Sequence, residues 1–213
     1  MIYLLSFGGE FWLKFGMRLF PLLFIAVTSS ICFAADEPDY DPLATGCEWI
    51  MDATITGPDG TLKTGIARRV VENEETRNGK AYFRTVTTVE RPLPPLSEVK
   101  LSRKDQTGFY SLDPKSKDAK EQTELLFPYK VGLTWKKFSS GMTLTDTVIG
   151  FESVTINGKK YDNCVHLRST TDDGSYTEDY WNAPGLGSIK SDMRYSNGAK
   201  ISLALREFKP GKK

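Results

Sequence analysis

The chain has one histidine, His166, and with it the shortest route to metal or nucleophilic chemistry. Asp162 and Cys164 precede it at alternate positions, so on a strand the three would share a face. Carboxylate, thiol and imidazole are metal ligands in kind. Successive same-face residues of a flat strand point in parallel, however, whereas zinc draws its ligands from separate elements. The same geometry argues against Cys164 and His166 as nucleophile and base, because the base must turn onto the sulfur and be oriented by a third group. There is no Gly-x-Ser-x-Gly elbow. Asp172-Asp173 runs into Gly174, which is turn chemistry, and Glu178-Asp179 would point to opposite faces of a strand. A glycosidase holds two carboxylates roughly 5–10 Å apart across a cleft, and no spacing here points to that. The sequence therefore assigns no catalytic, cofactor-binding or metal-ligating residue. A hydrolase built from scattered carboxylates is the least favoured reading.

The remaining candidates are apolar. Trp49, Trp135, Trp181, Phe109, Phe127 and Phe151 are the large aromatic residues to place. They either form the core of a β domain or line an apolar concavity of the kind ligand carriers use. Cys47 and Cys164 are open to two readings as well. In an oxidising compartment they invite one disulfide across a long loop, provided their Cα atoms approach within about 7 Å. Otherwise Cys164 is a small buried residue.

The address is written at the start of the chain. Met17-Arg18 begins a basic edge, Leu19 to Val27 is apolar, and Ser29 to Ala34 is mostly small, which is the pattern of a secretory signal peptide cut after Ala34. Residues 1–16 sit oddly ahead of it, so Met17 is a candidate true start. The apolar run is too short for a stable transmembrane anchor, and Ile31 before Cys32 is not the small residue that lipidation needs. Residues 1–34 removed, 26 basic and 26 acidic side chains remain. That balance, with no Gly-rich phosphate loop and no basic stripe, excludes general attraction to nucleic acid. The address is thus periplasmic or secreted, with no cofactor expected.

Residues 35–46 are acidic and proline-bearing and read as a flexible leader, residues 47–209 as a single β domain, and 210–213 as a basic tail. Strand candidates run from Cys47 to Thr56, Lys63 to Glu72, Lys80 to Glu90, Ser97 to Arg103, Gly108 to Leu112, Met142 to Ile156 and Tyr161 to Thr170. Asp59-Gly60, Asn78-Gly79, Asn157-Gly158, Asp173-Gly174 and Asn197-Gly198 are hairpin signals. A bulge is expected near Gly150, where alternation slips, and one short helix in the Asp113 to Thr123 region. Ser175 to Trp181 leads into Ala183-Pro184-Gly185-Leu186-Gly187, a tight structural corner. The last strand alternates Ile201, Leu203 and Leu205 against Ser202, Ala204 and Arg206. The fold predicted is all-β: a single antiparallel curved sheet or half-barrel with at most one or two short helices.

Phe127-Pro128-Tyr129-Lys130-Val131-Gly132 through Trp135, then Tyr161 to Leu167, then Trp181 through Lys190 resemble the exported bacterial DUF3108-like proteins of unknown function. The resemblance spans roughly Leu125 to Phe208. It implies the antiparallel half-barrel of periplasmic lipoprotein carriers, the LolA and LolB class, and an envelope address, with no catalytic residues to carry over. The chain departs from the pattern at Tyr129, where an aliphatic residue is usual. The function expected is an exported, non-enzymatic β protein binding a lipid or other apolar or amphiphilic ligand, or a protein partner in the cell envelope. The alternative is a structural or interaction subunit of an envelope assembly with no small ligand.

Overall fold

β-branched and aromatic runs broken by Asx-Gly pairs fold here into twelve antiparallel strands. The computed structural model describes residues 38–90, 96–115, 120–139 and 141–212. The expected signal peptide, its cleavage site and the alternative start at Met17 lie outside them. The strands are β1 (Glu48–Thr56), β2 (Leu62–Arg77), β3 (Lys80–Val89), β4 (Leu96–Lys104), β5 (Gly108–Leu112) and β6 (Gln122–Leu126). They continue as β7 (Thr134–Ser139), β8 (Met142–Ile156), β9 (Lys159–Thr171), β10 (Tyr176–Ala183), β11 (Gly187–Tyr195) and β12 (Lys200–Lys209).

Each strand pairs with its neighbours in the chain except at β6–β7, and β12 pairs with β1, so the order is β6-β5-β4-β3-β2-β1-β12-β11-β10-β9-β8-β7. The two edges, β6 and β7, are consecutive in the chain and come together, which curls the sheet into a nearly closed barrel. No backbone ladder joins them. Trp135 on β7 bridges the seam, its indole Nε1–H donating to the Glu124 carbonyl of β6 at 3.0 Å.

The local chemistry set these elements. All five Asx-Gly pairs lie in the loops of hairpins. Asn78 and Asn157 take φ of 52° and 50°, and the glycines after them 73° and 79°, as the tightest hairpin loops require. The bulge falls where alternation slips, between Val148 and Gly150. No helix occurs among the described residues; Gln122 and Thr123 are strand, while residues 116–119 of the expected helical stretch lie outside the described residues.

The leader differs from expectation. Its described part, residues 38–46, packs into the barrel instead of hanging free, and Tyr40 is 4% exposed. The corner holds it. Gly185 N–H donates to the Asp39 carbonyl at 2.6 Å. At Gly187, φ is +74° and a Cβ would lie 3.3 Å from Pro42 Cδ and 3.4 Å from Trp49 Nε1. Trp49 Nε1–H in turn donates to the Leu186 carbonyl. The corner is thus a clasp on the leader, and only glycine lets it close.

Because Trp135 carries both a buried ring and the seam bond, Trp135→Phe should keep most packing and lose the bond. We expect a stability loss of roughly 1 kcal/mol in urea unfolding. Amide exchange should rise selectively in Gln122–Leu126. Uniform exchange across the sheet would show that the seam is held by something else.

Candidate functional site

Register decides what faces inward. Arg69 on β2 lies opposite Trp49 of β1 and Thr87 of β3. Alternation then turns Glu98, Lys100 and Ser102 of β4 to the same face, together with Phe109 and Ser111 of β5. These side chains line a cavity of about 240 Å³, joined by Asp41, Glu124, Leu125, Lys137, Tyr180 and Asn182. Its wall is divided: Phe109, Leu125 and Tyr180 are apolar surface, and much of the remainder is charged. The reason lies in β3–β5, where the pattern is inverted. Leu101 and Leu112 face away from the cavity and are buried with Tyr82 on the other face. Glu121, held by Arg103, Lys80 and the Tyr82 hydroxyl, pins the chain before β6 over that cluster.

The two lysines of the cavity are matched. Lys137 Nζ is 2.8 Å from the fully buried Asp146, which also accepts from the Tyr180 hydroxyl at 3.1 Å and from Ser169. Burial pulls the Lys137 ammonium down, but Asp146 outweighs it and the pKa rises. Lys100 Nζ lies 3.1 Å from Glu124 and 3.7 Å from Glu98. Burial opposes ionisation of Glu124, yet Lys100 and the Ser111 hydroxyl hold its carboxyl below the usual range.

Arg69 is different. Among the described residues its guanidinium makes no ion pair or hydrogen bond. Instead it sits 5.0 Å from the Trp49 ring centroid and 5.8 Å from that of Phe109. Ring contacts of this kind engage the cation without spending its N–H donors. Burial pulls its pKa below the ordinary arginine value.

Facing it is Asp41 of the leader. Its carboxylate accepts from the Tyr129 hydroxyl at 3.0 Å and from Asn182 Nδ2 at 2.8 Å. Burial nevertheless dominates and pushes its pKa up from 3.8 to about 7. Asn182 Oδ1 beside it is buried with no hydrogen-bond partner among the described residues. Tyr129 is thus a residue whose hydroxyl reaches the half-buried acid.

Of the sequence-derived candidates, Phe109 lies in this wall and the rest are placed elsewhere. Trp135 is buried in a core cluster with Val148, Leu167 and Tyr180. Trp49 and Trp181 are buried in a second cluster that also holds Cys47 and Cys164. Phe127 lines a separate hollow of about 340 Å³ beside Tyr40 and Tyr129, and Phe151 is 44% exposed. Of the six aromatic residues singled out as core or ligand-lining, Phe109 lines the charged cavity and the other five do not. Both cysteines are buried free thiols, not the disulfide held open as one outcome. Cys164 Sγ donates to the Tyr161 carbonyl at 3.4 Å, and Cys47 Sγ accepts from Gly211 N–H at 3.2 Å.

Asp162 and His166 part company too. Asp162 accepts from Ser153 and pairs with Lys160, while Asn163 turns left-handed at φ 53° in a bulge of β9 between them. Tyr180 and Asn182 line the cavity, so Asp179 and Trp181 turn to the opposite face of β10. There His166 stacks on Trp181 at 4.5 Å, with Nε2 2.9 Å from Asp179 and Nδ1 3.2 Å from Glu152. Burial would raise the Asp179 carboxyl, but Arg168, His166 and Arg194 hold it below the usual range. This cluster is an ion-pair hub binding β8–β11, with no nucleophile in its hydrogen bonds. Among the described residues no group of three or more His, Cys, Asp and Glu side chains is arranged to hold a metal ion.

Asp41 yields a pH prediction. With its folded pKa near 7 against an ordinary 3.8, the native state binds the extra proton between those values. Stability must therefore fall as pH rises through that window and level off above it. Asp41→Asn removes the titration. Relative to wild type, it should be more stable by roughly 1–2 kcal/mol near pH 8, the gap closing near pH 4, in urea unfolding. Parallel curves across the range would mean that Asp41 titrates as an ordinary exposed carboxylate.

No family model matches the chain, and no curated protein is significantly similar to it. Thirteen chains among the solved structures are similar to it, three of which follow. A candidate lipoprotein of Parabacteroides distasonis is 12% identical, with TM-score 0.49, over 82% of this chain and 100% of its own. An exported protein with a YmcC-like fold from Bacteroides fragilis is 14% identical, with TM-score 0.48, over 79% of this chain and 97% of its own. A LolA superfamily protein of Nitrosomonas europaea is 8% identical, with TM-score 0.35, over 79% of this chain and 87% of its own. At such identities and overlaps the likeness says nothing of ligand or activity.

Proposed function

We propose that this is an exported, non-enzymatic binding protein that encloses one small amphiphilic molecule inside its barrel. The observation that carries the reading is the divided wall of the cavity. Phe109, Leu125 and Tyr180 offer apolar area to a hydrocarbon part, and Arg69, Lys100, Lys137 and the carboxylates opposite offer partners to a polar part. Such sites bind by burying area and fixing orientation with a few polar groups, with no covalent step. The seam offers a way in, since opening it breaks no backbone ladder. Export rests on the leader pattern of residues 1–34, and the resemblance to exported bacterial proteins is in keeping with it.

A second reading, a protein partner against the β7 edge, is favoured by exposed Val131, Phe138 and Ile149 on that side of the sheet. Native mass spectrometry of protein expressed with its own leader and purified from the periplasm separates the two. The first reading expects a chain beginning at Ala35 with a small-molecule adduct that denaturation removes. A bare mass, unchanged after incubation with a lipid extract, would overturn it in favour of the partner.

A further inference from the structure

We infer that the molecule in this cavity carries an anionic head group, a carboxylate or a phosphate, and that the Arg69 guanidinium receives it. The inference rests on the reading that the cavity holds an amphiphile, and it names the chemistry of the occupant's polar end.

Three observations converge on Arg69. First, the other cations of the cavity are neutralised within the protein. Lys137 is paired with Asp146 and Lys100 with Glu124 and Glu98, whereas Arg69 has no carboxylate within ion-pair distance among the described residues. Second, the half-buried guanidinium lines the cavity against the Trp49 and Phe109 rings, and no protein acceptor among the described residues takes its N–H donors. A partly desolvated cation with donors left to the cavity is an arrangement that an incoming anion improves. Third, its shape selects the partner. The planar fork of a guanidinium matches carboxylate and phosphate oxygens two at a time, a geometry an ammonium lacks.

Phe109 and Leu125 share the same wall, so an anion on Arg69 would direct its hydrocarbon along them. The volume of about 240 Å³ lies below the roughly 300–1,000 Å³ of drug-sized sites. The occupant is therefore small, or buries only its head and first methylenes.

The neighbouring charges also set a pH dependence. Around the guanidinium stand Asp41 of the leader, with Asp39 and its ion-pair partner Lys104 behind it, then Glu98 and Lys100 of β4, Glu124 of β6 and Lys137 of β7. The glutamates are committed to lysines. Asp41 is the group whose burial favours the proton, and its ionisation would place a negative charge where the head group must lie. Anion affinity should accordingly fall as pH rises through neutrality.

Calorimetric titration of protein lacking residues 1–34 tests this with four probes: octanoate, octyl phosphate, 1-octanol and inorganic phosphate. Near pH 6, octanoate or octyl phosphate should bind at least about 10-fold more tightly than 1-octanol. Arg69→Gln should reduce that anion to the level of 1-octanol and leave 1-octanol unchanged, while Arg69→Lys keeps part of the preference. The octanoate affinity of wild type should weaken near pH 8.5, and that of Asp41→Asn should not. Equal affinity for octanoate, octyl phosphate and 1-octanol would overturn the anionic head and leave the amphiphile reading standing. Inorganic phosphate binding as tightly as octyl phosphate would do the reverse, keeping the anion subsite and removing the tail. No binding by any probe would overturn both. Should Arg69→Gln fail to fold, the head-group ratio and the pH response of the wild type still decide.

Discussion

A half-buried guanidinium in a cavity wall, without a carboxylate partner among the described residues, is the interaction on which the rest of this structure turns. Removing a charge from water costs several kcal/mol even after the surroundings relax. The barrel meets that cost for its lysines by pairing each with buried carboxylates. For Arg69 it supplies two aromatic faces and the edge of a cavity. Asp41, across the same cavity, is half-buried and its pKa is raised to about 7, so it does not compensate Arg69 in acid. The cavity is consequently a charged chamber in which one cation is left without an anionic partner among the described residues.

The architecture follows from keeping such a chamber closed yet accessible. A sheet of twelve neighbour-paired strands can curl until its edges meet, but β6 is short and its register with β5 shifts at Phe109/Tyr110. The two edges therefore meet through a side chain, the Trp135 indole, in place of a ladder. At the other side of the cavity the leader is pressed in by the Ala183–Gly187 corner and brings Asp41 with it. Removing the leader would take away one wall of the chamber and the group that makes its charge pH-dependent. The seam has no ladder, so it is a place where low-energy opening would start.

What was legible in the sequence was local. Asn78-Gly79 and Asn157-Gly158 specify their turns through backbone angles that few residues accept, and Gly150 betrays its bulge by breaking the alternation. Gly187 marks the corner because its φ of +74° strains other residues and a Cβ there would crowd Pro42 and Trp49. The site was not legible, for two physical reasons. On β4 the apolar face, carrying Leu101, is the outer one, so the usual rule of apolar inside pointed away from Glu98, Lys100 and Ser102. And Arg69, Asp41 and Asn182 come from three separated segments whose meeting depends on closure of the sheet and docking of the leader. The one available signal was Tyr129, a hydroxyl at a position where a purely apolar turn would do. It is that hydroxyl which reaches Asp41.

The most direct test is to watch Arg69 itself. In nitrogen-15 spectra of the protein lacking residues 1–34, the Arg69 Nε–H resonance, assigned by its loss in Arg69→Lys, is followed as octanoate is added near pH 6. The account predicts a large, saturable shift of that resonance with slowed exchange of its proton, while Arg168 and Arg194, committed to Asp179 on the opposite face of β10, stay where they are. An Arg69 resonance that does not move, or shifts no larger than those of the surface arginines, would contradict the claim that the barrel holds its ligand by this charge.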